Sequence, residues 1–179
     1  PAADGSGPPA GSRIVGLVRT GSWADCAAVE TRQMAVLPAN VSFTLAAALP
    51  VAGLTALYAL EQGGQLLGRR VLVTGASGGV GVFAVQLAKH FGAEVTAVAS
   101  TGNLDLLRDL GADHVIDYTR QDFTKSGKHW DLVFDTVGKT RFATVRRVLT
   151  AQGIYLPIEL SVPIFAGGLV AHLVERRLK

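Results

Sequence analysis

The sequence is poor in several residue types, and each shortage limits what the protein can be. Its 179 residues include a single cysteine, Cys26, which excludes an internal disulfide framework and favours a reducing compartment. Charged residues make up 17% of the chain and give a formal net charge of +3. The basic residues are scattered and form no stripe with interleaved aromatic side chains, so a nucleic-acid partner is not expected. Nothing near the start is typical of a signal peptide, and a cytoplasmic location is therefore expected.

Long uninterrupted apolar runs are also scarce. The most apolar stretch, residues 154–174, contains Pro157, Glu159, Pro163 and His172. A membrane-spanning helix needs about 20 consecutive, mostly apolar residues. We therefore expect a buried strand followed by a core-facing helix in this stretch, a charged helix end over residues 175–179, and no membrane partner.

The pattern of the sequence changes near residue 70. Residues 11–38 alternate short apolar runs with polar breaks, which predicts small antiparallel strands, with Cys26 buried in one of them. Residues 43–60 are rich in alanine and leucine around Pro50, which predicts two short helices. After residue 70, strands are predicted near residues 71–75, 94–99, 114–117, 131–135 and 153–158, and helices near 80–91, 103–110 and 140–149. This alternation requires a parallel sheet covered on both faces.

The segment from Val71 to Lys89 reads as a β-branched strand, a glycine-rich turn and an amphipathic helix. Glycine permits backbone angles and close approaches that a Cβ atom would prevent. A pyrophosphate can then lie against the amides at the start of the helix, near the positive end of its dipole. The turn therefore predicts a dinucleotide site.

Two other motifs fit the same turn. Read as Gly-x-Ser-x-Gly over residues 75–79, the turn would make Ser77 the nucleophile of a hydrolase, with an acid and His172 downstream. That turn normally follows several earlier strands, whereas this one should follow the first strand of its sheet.

Read from Thr74 to Gly81, the turn is also similar to the cofactor turn of short-chain dehydrogenases. Those enzymes carry a catalytic Tyr-x-x-x-Lys, but no lysine lies four places after Tyr58, Tyr118 or Tyr155.

The Ala-x-Gly-Gly-Val-Gly pattern of residues 76–81 resembles the medium-chain dehydrogenase/reductase superfamily, specifically its zinc-independent, quinone-oxidoreductase-like branch. The resemblance extends over about residues 11–160 through further motifs in the family's order: Gly11–Val15, Gly21–Asp25, Leu49–Leu57, Leu110–Tyr118 and Phe134–Gly138. It implies an α/β fold, in which an incomplete Rossmann doubly wound parallel sheet follows the C-terminal part of a GroES-like β domain.

The resemblance also implies a domain order. Residues 1–40 would be the remnant of the GroES-like catalytic domain, residues 41–67 connecting helices, and residues 68–179 the NAD(P)-binding Rossmann domain, truncated before its last strand. Because family members are roughly twice this long, we expect a fragment. The resemblance leaves homodimer formation by the full-length parent open.

Cofactor contacts are predicted first at the glycine turn. Ala76, Ser77, Gly78, Gly79 and Val80 should present amides and the Ser77 hydroxyl to the pyrophosphate. Gly81 should let the following helix pack closely on the sheet.

The end of the second strand bears on the choice of cofactor. Ser100 stands where NAD-preferring proteins usually place an acidic residue, and Gly102 and Asn103 stand where NADPH-using relatives often place a basic one. Ser100, Thr101 and Asn103 can still give neutral hydrogen bonds, and Tyr118 resembles a tyrosine of the 2′-phosphate pocket or packs at the strand end. NADP (NADPH) is therefore favoured over NAD.

Further contacts are implied by the resemblance. Thr55 resembles a threonine that approaches the nicotinamide, with helix capping as the alternative. Asp135, Thr136 and Val137 should pass beneath the adenosine ribose, although Asp135 could equally cap its own loop. Asn103 is also expected to cap a helix that ends at Gly111.

Zinc is not expected. The four-cysteine lobe of zinc-dependent relatives has no counterpart between Val18 and Gly21, and a further ligand cysteine of those relatives falls on Val51. The expected reaction is hydride transfer to a small molecule, namely a quinone, an enone or another activated double bond, or a carbonyl compound. The alternative is a non-catalytic nucleotide-binding protein or an inactive fragment of such an enzyme. No proton donor or other catalytic residue can be named.

Overall fold

A computed structural model describes residue 5, residues 7–159 and the short segments 172–173 and 176–177. The chain divides into two compact units, Pro1–Leu54 and Thr55–Lys179. The predicted boundaries at residues 40 and 67 remain predictions. Along the described ranges, no helix is long and apolar enough to cross a membrane.

The first unit contains little regular structure. β1 (Ile14–Gly16) pairs antiparallel with β2 (Met34–Val36), which confirms the small antiparallel strands expected here. The prediction that Cys26 is a buried strand residue is wrong, because Cys26 is exposed and lies outside both strands. The three apolar residues that follow it, Ala27 to Val29, suggested a strand, but no partner strand pairs with this segment in the described chain.

The alanine- and leucine-rich segment forms helices, as predicted. α1 (Phe43–Ala47) is capped by the Ser42 hydroxyl, which accepts a hydrogen bond from the amide of Leu45 at 3.2 Å. A π-helical segment (Leu49–Gly53) contains Pro50 and leads into α2 (Leu54–Gln62). Gly64, at φ +75°, then turns the chain toward the sheet.

The second unit is built on a parallel sheet, as the alternating pattern predicts. Its strands are β3 (Arg70–Thr74), β4 (Glu94–Ala99), β5 (His114–Asp117), β6 (Trp130–Asp135) and β7 (Leu149–Glu159), in the order β5-β4-β3-β6-β7. The helices between them are α3 (Gly79–His90), α4 (Leu104–Asp109) and α5 (Phe142–Val145). This is the strand order of a Rossmann fold.

Apolar side chains cover both faces of the sheet. Alternate residues of β3 point to opposite sides, so Val71 and Val73 belong to one buried cluster and Leu72 to the other. The first cluster includes Leu60 of α2 and residues of α3, and the second includes Trp130 and residues of the α5 region. The sheet is therefore held from both sides, which fixes the positions of its strand ends.

The last part of the sheet differs from the sequence prediction. The predicted helix over residues 140–149 shrinks to α5 and a 3₁₀ turn (Arg146–Val148), because β7 already begins at Leu149. Leu149 pairs with Trp130, and the register shifts between Trp130 and Leu132. Two short strands, β8 (His172–Leu173) and β9 (Arg176–Arg177), pair antiparallel with β7. The predicted charged helix end is therefore wrong at these positions, and the core-facing helix falls mainly on residues outside the described ranges.

Candidate dinucleotide-binding site

The strand order places two loops together at the carboxyl edge of the sheet. The glycine turn (residues 75–78) follows β3, and a loop (residues 136–140) follows the neighbouring strand β6. After β3 the chain continues to β4 on one side of the sheet, and after β6 it continues to β7 on the other side. A crevice therefore opens between the ends of β3 and β6. We call this pair of loops the central edge.

The glycine turn is fixed by backbone contacts. Gly75 has φ +59°, and its carbonyl accepts a hydrogen bond from the amide of Gly78 at 2.9 Å. A Cβ atom on Gly81 would lie 2.2 Å from the carbonyl oxygen of Gly75. Glycine at position 81 is therefore required for the first turn of α3 to pack against the loop, as the sequence predicts.

The start of α3 offers both space and donors. A Cβ atom on Gly79 would meet no atom within 4 Å, so the space above the helix start is open. The first amides of a helix have no carbonyl one turn earlier to bond to, and they lie at the positive end of the helix dipole. A pyrophosphate would fit this open, donor-rich space.

The prediction that the turn presents the amides of Ala76 and Gly78 to a pyrophosphate is wrong. The amide of Ala76 donates to the carbonyl of Val98 at 3.0 Å, and the amide of Gly78 is the one that bonds to Gly75. The side chain of Ala76 is buried in the core. Both residues therefore shape the turn, while Ser77, Gly79 and Val80 remain as the predicted phosphate contacts.

The loop after β6 is held by one buried carboxylate. Asp135 is 0% exposed. Its Oδ1 accepts hydrogen bonds from the Thr74 hydroxyl at 2.6 Å and from the amides of Val137 and Gly138 at 3.1 Å. Its Oδ2 accepts from the Tyr155 hydroxyl at 2.9 Å and the Thr140 amide at 3.2 Å. The loop-capping alternative is therefore the one that the contacts support, and the passage of Asp135 beneath a ribose remains a prediction.

Hydrogen bonding decides the ionisation of Asp135. Burial alone would raise its pKa, but the hydroxyls of Thr74 and Tyr155 and the loop amides stabilise the anion and hold the pKa below its ordinary value of 3.8. The buried group is therefore a carboxylate at neutral pH, with both oxygens engaged by the protein.

The remaining residues of this loop touch the glycine turn. The Thr136 hydroxyl donates to the carbonyl of Thr74 at 2.7 Å and lies 3.3 Å from that of Gly75. A Cβ atom on Gly75 would come within 2.6 Å of a methyl group of Val137. Val137 is 49% exposed, so it can still form part of a ligand surface.

A second group of predicted residues lies further along the sheet, at the ends of β4 and β5. We call residues 100–103 and 117–120 the outer edge. Thr101 donates its hydroxyl to Oδ2 of Asp117 at 2.5 Å, and Tyr118 is 63% exposed. The structure thus brings Thr101 and Tyr118 to the same edge as Ser100, as the sequence predicts.

Asn103 does not cap α4 with its side chain. Its side-chain nitrogen Nδ2 instead donates to the Ser100 hydroxyl at 3.2 Å. Asn103 is the last residue of the 3₁₀ turn (Thr101–Asn103) before α4, and its side chain bonds back to Ser100, the residue after β4. The capping prediction is wrong here, whereas Gly111 does end the helix region at φ +96°.

Thr55 lies in the first turn of α2 and is half-buried. Its approach to the nicotinamide remains a prediction. In the part of the chain that the structure describes, no group of three or more His, Cys, Asp or Glu side chains could hold a metal ion.

Three residues of the site escaped sequence reasoning. Thr74 and Tyr155 bind Asp135 from other strands, and Asp117 binds Thr101 across the β4–β5 pair. The alternation of buried and polar residues marked their strands, but only the register of the sheet brings these side chains together.

Comparison with known proteins agrees with this geometry. A family model described as "Zinc-binding dehydrogenase" matches residues 79–158. A 2-methylene-furan-3-one reductase of Solanum lycopersicum is 50% identical over 121 residues, covering 66% of this chain and 31% of the relative. An NADPH-dependent alkenal/one oxidoreductase of Arabidopsis thaliana is 44% identical over 127 residues, covering 70% and 33%.

Solved structures give the same result. The quinone oxidoreductase from Coxiella burnetii superposes with a TM-score of 0.69 at 33% identity, covering 79% of this chain and 49% of that one. The chain spans about a third of the length of these curated relatives. Motifs, strand order and these similarities together show that the chain belongs to the medium-chain dehydrogenase/reductase superfamily, in which its relatives include quinone and enone oxidoreductases.

Proposed function

We propose that this chain supplies the NAD(P)H-binding part of a zinc-independent oxidoreductase that reduces a quinone, an enone or a related carbonyl compound. The observation that carries the proposal is the open start of α3 at the crevice between β3 and β6, where a Cβ on Gly79 meets nothing within 4 Å. The similarity to an NADPH-dependent alkenal/one oxidoreductase and to a quinone oxidoreductase supports this cofactor and this class of substrate. NADPH is the favoured cofactor.

The residues of the central edge have distinct tasks in this proposal. Ser77, Gly79 and Val80 hold the pyrophosphate by hydrogen bonds at the positive end of α3. Asp135 keeps the loop over residues 136–140 in place beside them. When bound, the nicotinamide would supply the hydride, and the protein would contribute orientation and hydrogen bonds.

Zinc independence is part of the proposal. A zinc-dependent dehydrogenase polarises its carbonyl substrate with the metal, and Val51 offers no ligand atom at the position where such relatives place a cysteine. A metal content of less than one zinc per ten chains in active protein would support this part, and stoichiometric zinc would contradict it.

The hydrolase alternative loses support from the backbone. A nucleophile elbow holds its serine in a strained turn. Among the described residues no non-glycine residue has a positive φ, and this includes Ser77. The proposal also retains a cytoplasmic location, a small-molecule substrate, and neither a nucleic acid nor a membrane as partner, with homodimer formation by the full-length protein as an option.

The test has two stages, namely cofactor binding by this chain and turnover by the full-length protein. Titration with NADPH and with NADH, followed by nicotinamide fluorescence, should show saturable binding of both and tighter binding of NADPH. Addition of a simple quinone or an enone to the NADPH complex should then oxidise the cofactor catalytically. Binding without oxidation would favour the non-catalytic nucleotide-binding alternative, and no binding by a folded sample would contradict the proposal.

A substitution at the helix start makes the test specific. Gly79→Val should leave the folded protein intact, because the Cβ atom enters open space and the unfolded chain loses freedom. The added side chain should block the pyrophosphate and abolish binding of both cofactors. Unchanged cofactor binding by a Gly79→Val variant would mean that the pyrophosphate does not bind at the start of α3.

A further inference from the structure

The outer edge contains an acidic residue, but this residue does not come from β4, the second strand of the parallel sheet. In dinucleotide-binding folds the end of that strand usually carries the carboxylate that accepts the ribose hydroxyls of NAD. Here Ser100 occupies the position. The next strand along the sheet, β5, ends at Asp117, which is paired in register with Ala99. A carboxylate therefore reaches this edge from the adjacent strand.

Asp117 is oriented by three contacts. Its Oδ2 accepts the Thr101 hydroxyl at 2.5 Å. Its Oδ1 accepts the amide of Thr119 at 2.9 Å and the Thr119 hydroxyl at 2.7 Å. The hydroxyls of Thr101 and Thr119, and then the Thr119 amide and the charge of Arg120, hold the pKa of Asp117 below its ordinary value. Asp117 therefore carries a full negative charge at neutral pH.

These contacts affect a 2′-phosphate in two ways. The Thr101 hydroxyl has one proton, and while it donates to Asp117 it cannot donate to a phosphate. The carboxylate also repels a phosphate dianion placed at the same edge. Neither effect acts against the free ribose hydroxyls of NADH, which can donate to a carboxylate.

We propose that Asp117 is a specificity-determining residue that limits the preference of this protein for NADPH over NADH. This inference rests on the proposed function, because it assumes that the adenosine ribose lies at the outer edge. Arg120 lies close enough to act on Asp117 by its charge, and it partly offsets the repulsion.

The test is the ratio of the NADH to the NADPH dissociation constant in an Asp117→Asn variant of the full chain. Asparagine keeps a side-chain oxygen for the Thr119 contacts and removes the charge. We expect the ratio to rise in favour of NADPH by about fivefold at low salt, because the substitution removes the repulsion between the carboxylate and the 2′-phosphate. Raising the ionic strength should shrink the difference from the wild type.

Asp122 provides a matched control. Its Oδ1 accepts the amide and hydroxyl of Thr124, two residues later, at 2.9 and 2.7 Å, in the same local arrangement as Asp117 with Thr119. In the described part of the chain, Asp122 forms its hydrogen bonds and its ion pair with Thr124 and Lys125, and none with residues 100–103. An Asp122→Asn variant should therefore keep the wild-type ratio.

The outcomes separate this inference from the proposed function. If the wild type binds neither cofactor, the proposed function fails and the inference fails with it. If both cofactors bind and Asp117→Asn leaves the ratio unchanged or lowers it, or if Asp122→Asn raises it equally, only the inference is overturned. Should Asp117→Asn fail to fold, Arg120→Gln should lower the ratio by exposing the carboxylate, and an unchanged ratio would overturn the inference.

Discussion

The central edge and the outer edge of the sheet lie at the ends of neighbouring strands, but they are built differently. At the central edge, backbone contacts and the fully buried Asp135 lock the glycine turn and the loop after β6 together. At the outer edge, Thr101 and Tyr118 are exposed, Asp117 is partly exposed, and a side-chain hydrogen bond joins Thr101 to Asp117. The packed edge suits the pyrophosphate that every dinucleotide shares, whereas the exposed edge can adjust which dinucleotide is preferred.

The largest expected effect comes from breaking the packing of the central edge. Gly81→Val would place a Cβ atom 2.2 Å from the Gly75 carbonyl, so α3 or the turn must move. We expect a loss of about 3 kcal/mol or more in the free energy of unfolding, together with loss of cofactor binding. Urea unfolding monitored by circular dichroism measures the first effect. A variant as stable as the wild type would mean that the turn is not tightly packed.

The second effect tests the buried carboxylate. Asp135→Ala leaves the Thr74 hydroxyl and three loop amides without their acceptor and removes one of the acceptors of the Tyr155 hydroxyl, which keeps the Thr140 carbonyl. We expect a loss of about 3 kcal/mol in the free energy of unfolding. Asp122→Ala, which removes an exposed carboxylate with similar local contacts, should cost no more than about 1 kcal/mol. Equal losses in the two variants would remove the distinction between packed and exposed carboxylates.

Acid should sharpen the same distinction. The folded-state pKa of Asp135 lies below its ordinary value of 3.8, so its stabilisation is present above that value and is lost as the pH falls through the folded-state pKa. The difference in free energy of unfolding between the wild type and Asp135→Asn should therefore narrow as the pH is lowered below about 4. A difference that stays constant from neutral to acid pH would contradict an ionised Asp135.

The smallest expected effect is at Ser77. Ser77→Ala removes one predicted hydrogen bond to the pyrophosphate and should weaken NADPH and NADH alike, by about 1 kcal/mol or roughly fivefold. Because the pyrophosphate is common to both cofactors, the ratio of their dissociation constants should not change. A change in that ratio would place Ser77 near the 2′ position, and would undo the division of tasks between the two edges.

The sequence predicts the parts of this site that depend on neighbours along the chain. The glycine turn, the helix after it and the strand alternation all follow from local patterns, and Gly81 and Gly111 have the roles expected of them. The prediction that Ala76 and Gly78 donate to a pyrophosphate is wrong, because their amides bond to the carbonyls of Val98 and Gly75. Val98 lies on the neighbouring strand β4.

Other errors arise where tertiary contacts decide the outcome. Asp135 is enclosed because Thr74 and Tyr155 reach it from flanking strands, and Asp117 reaches Thr101 only through the β4–β5 register. Cys26 is exposed because its apolar neighbours have no strand to pair with in the described chain. Such contacts are separated by many residues, so no local pattern could have predicted them.

The most direct test of the dinucleotide site is to follow the backbone amide signals of the ¹⁵N-labelled chain by NMR while NADPH is added. We predict that the largest shifts occur at Ser77, Gly79 and Val80, at the start of α3, and that smaller shifts occur at residues 100–103 and 117–120. Binding that leaves residues 77–80 unshifted while other regions respond would contradict the site described above.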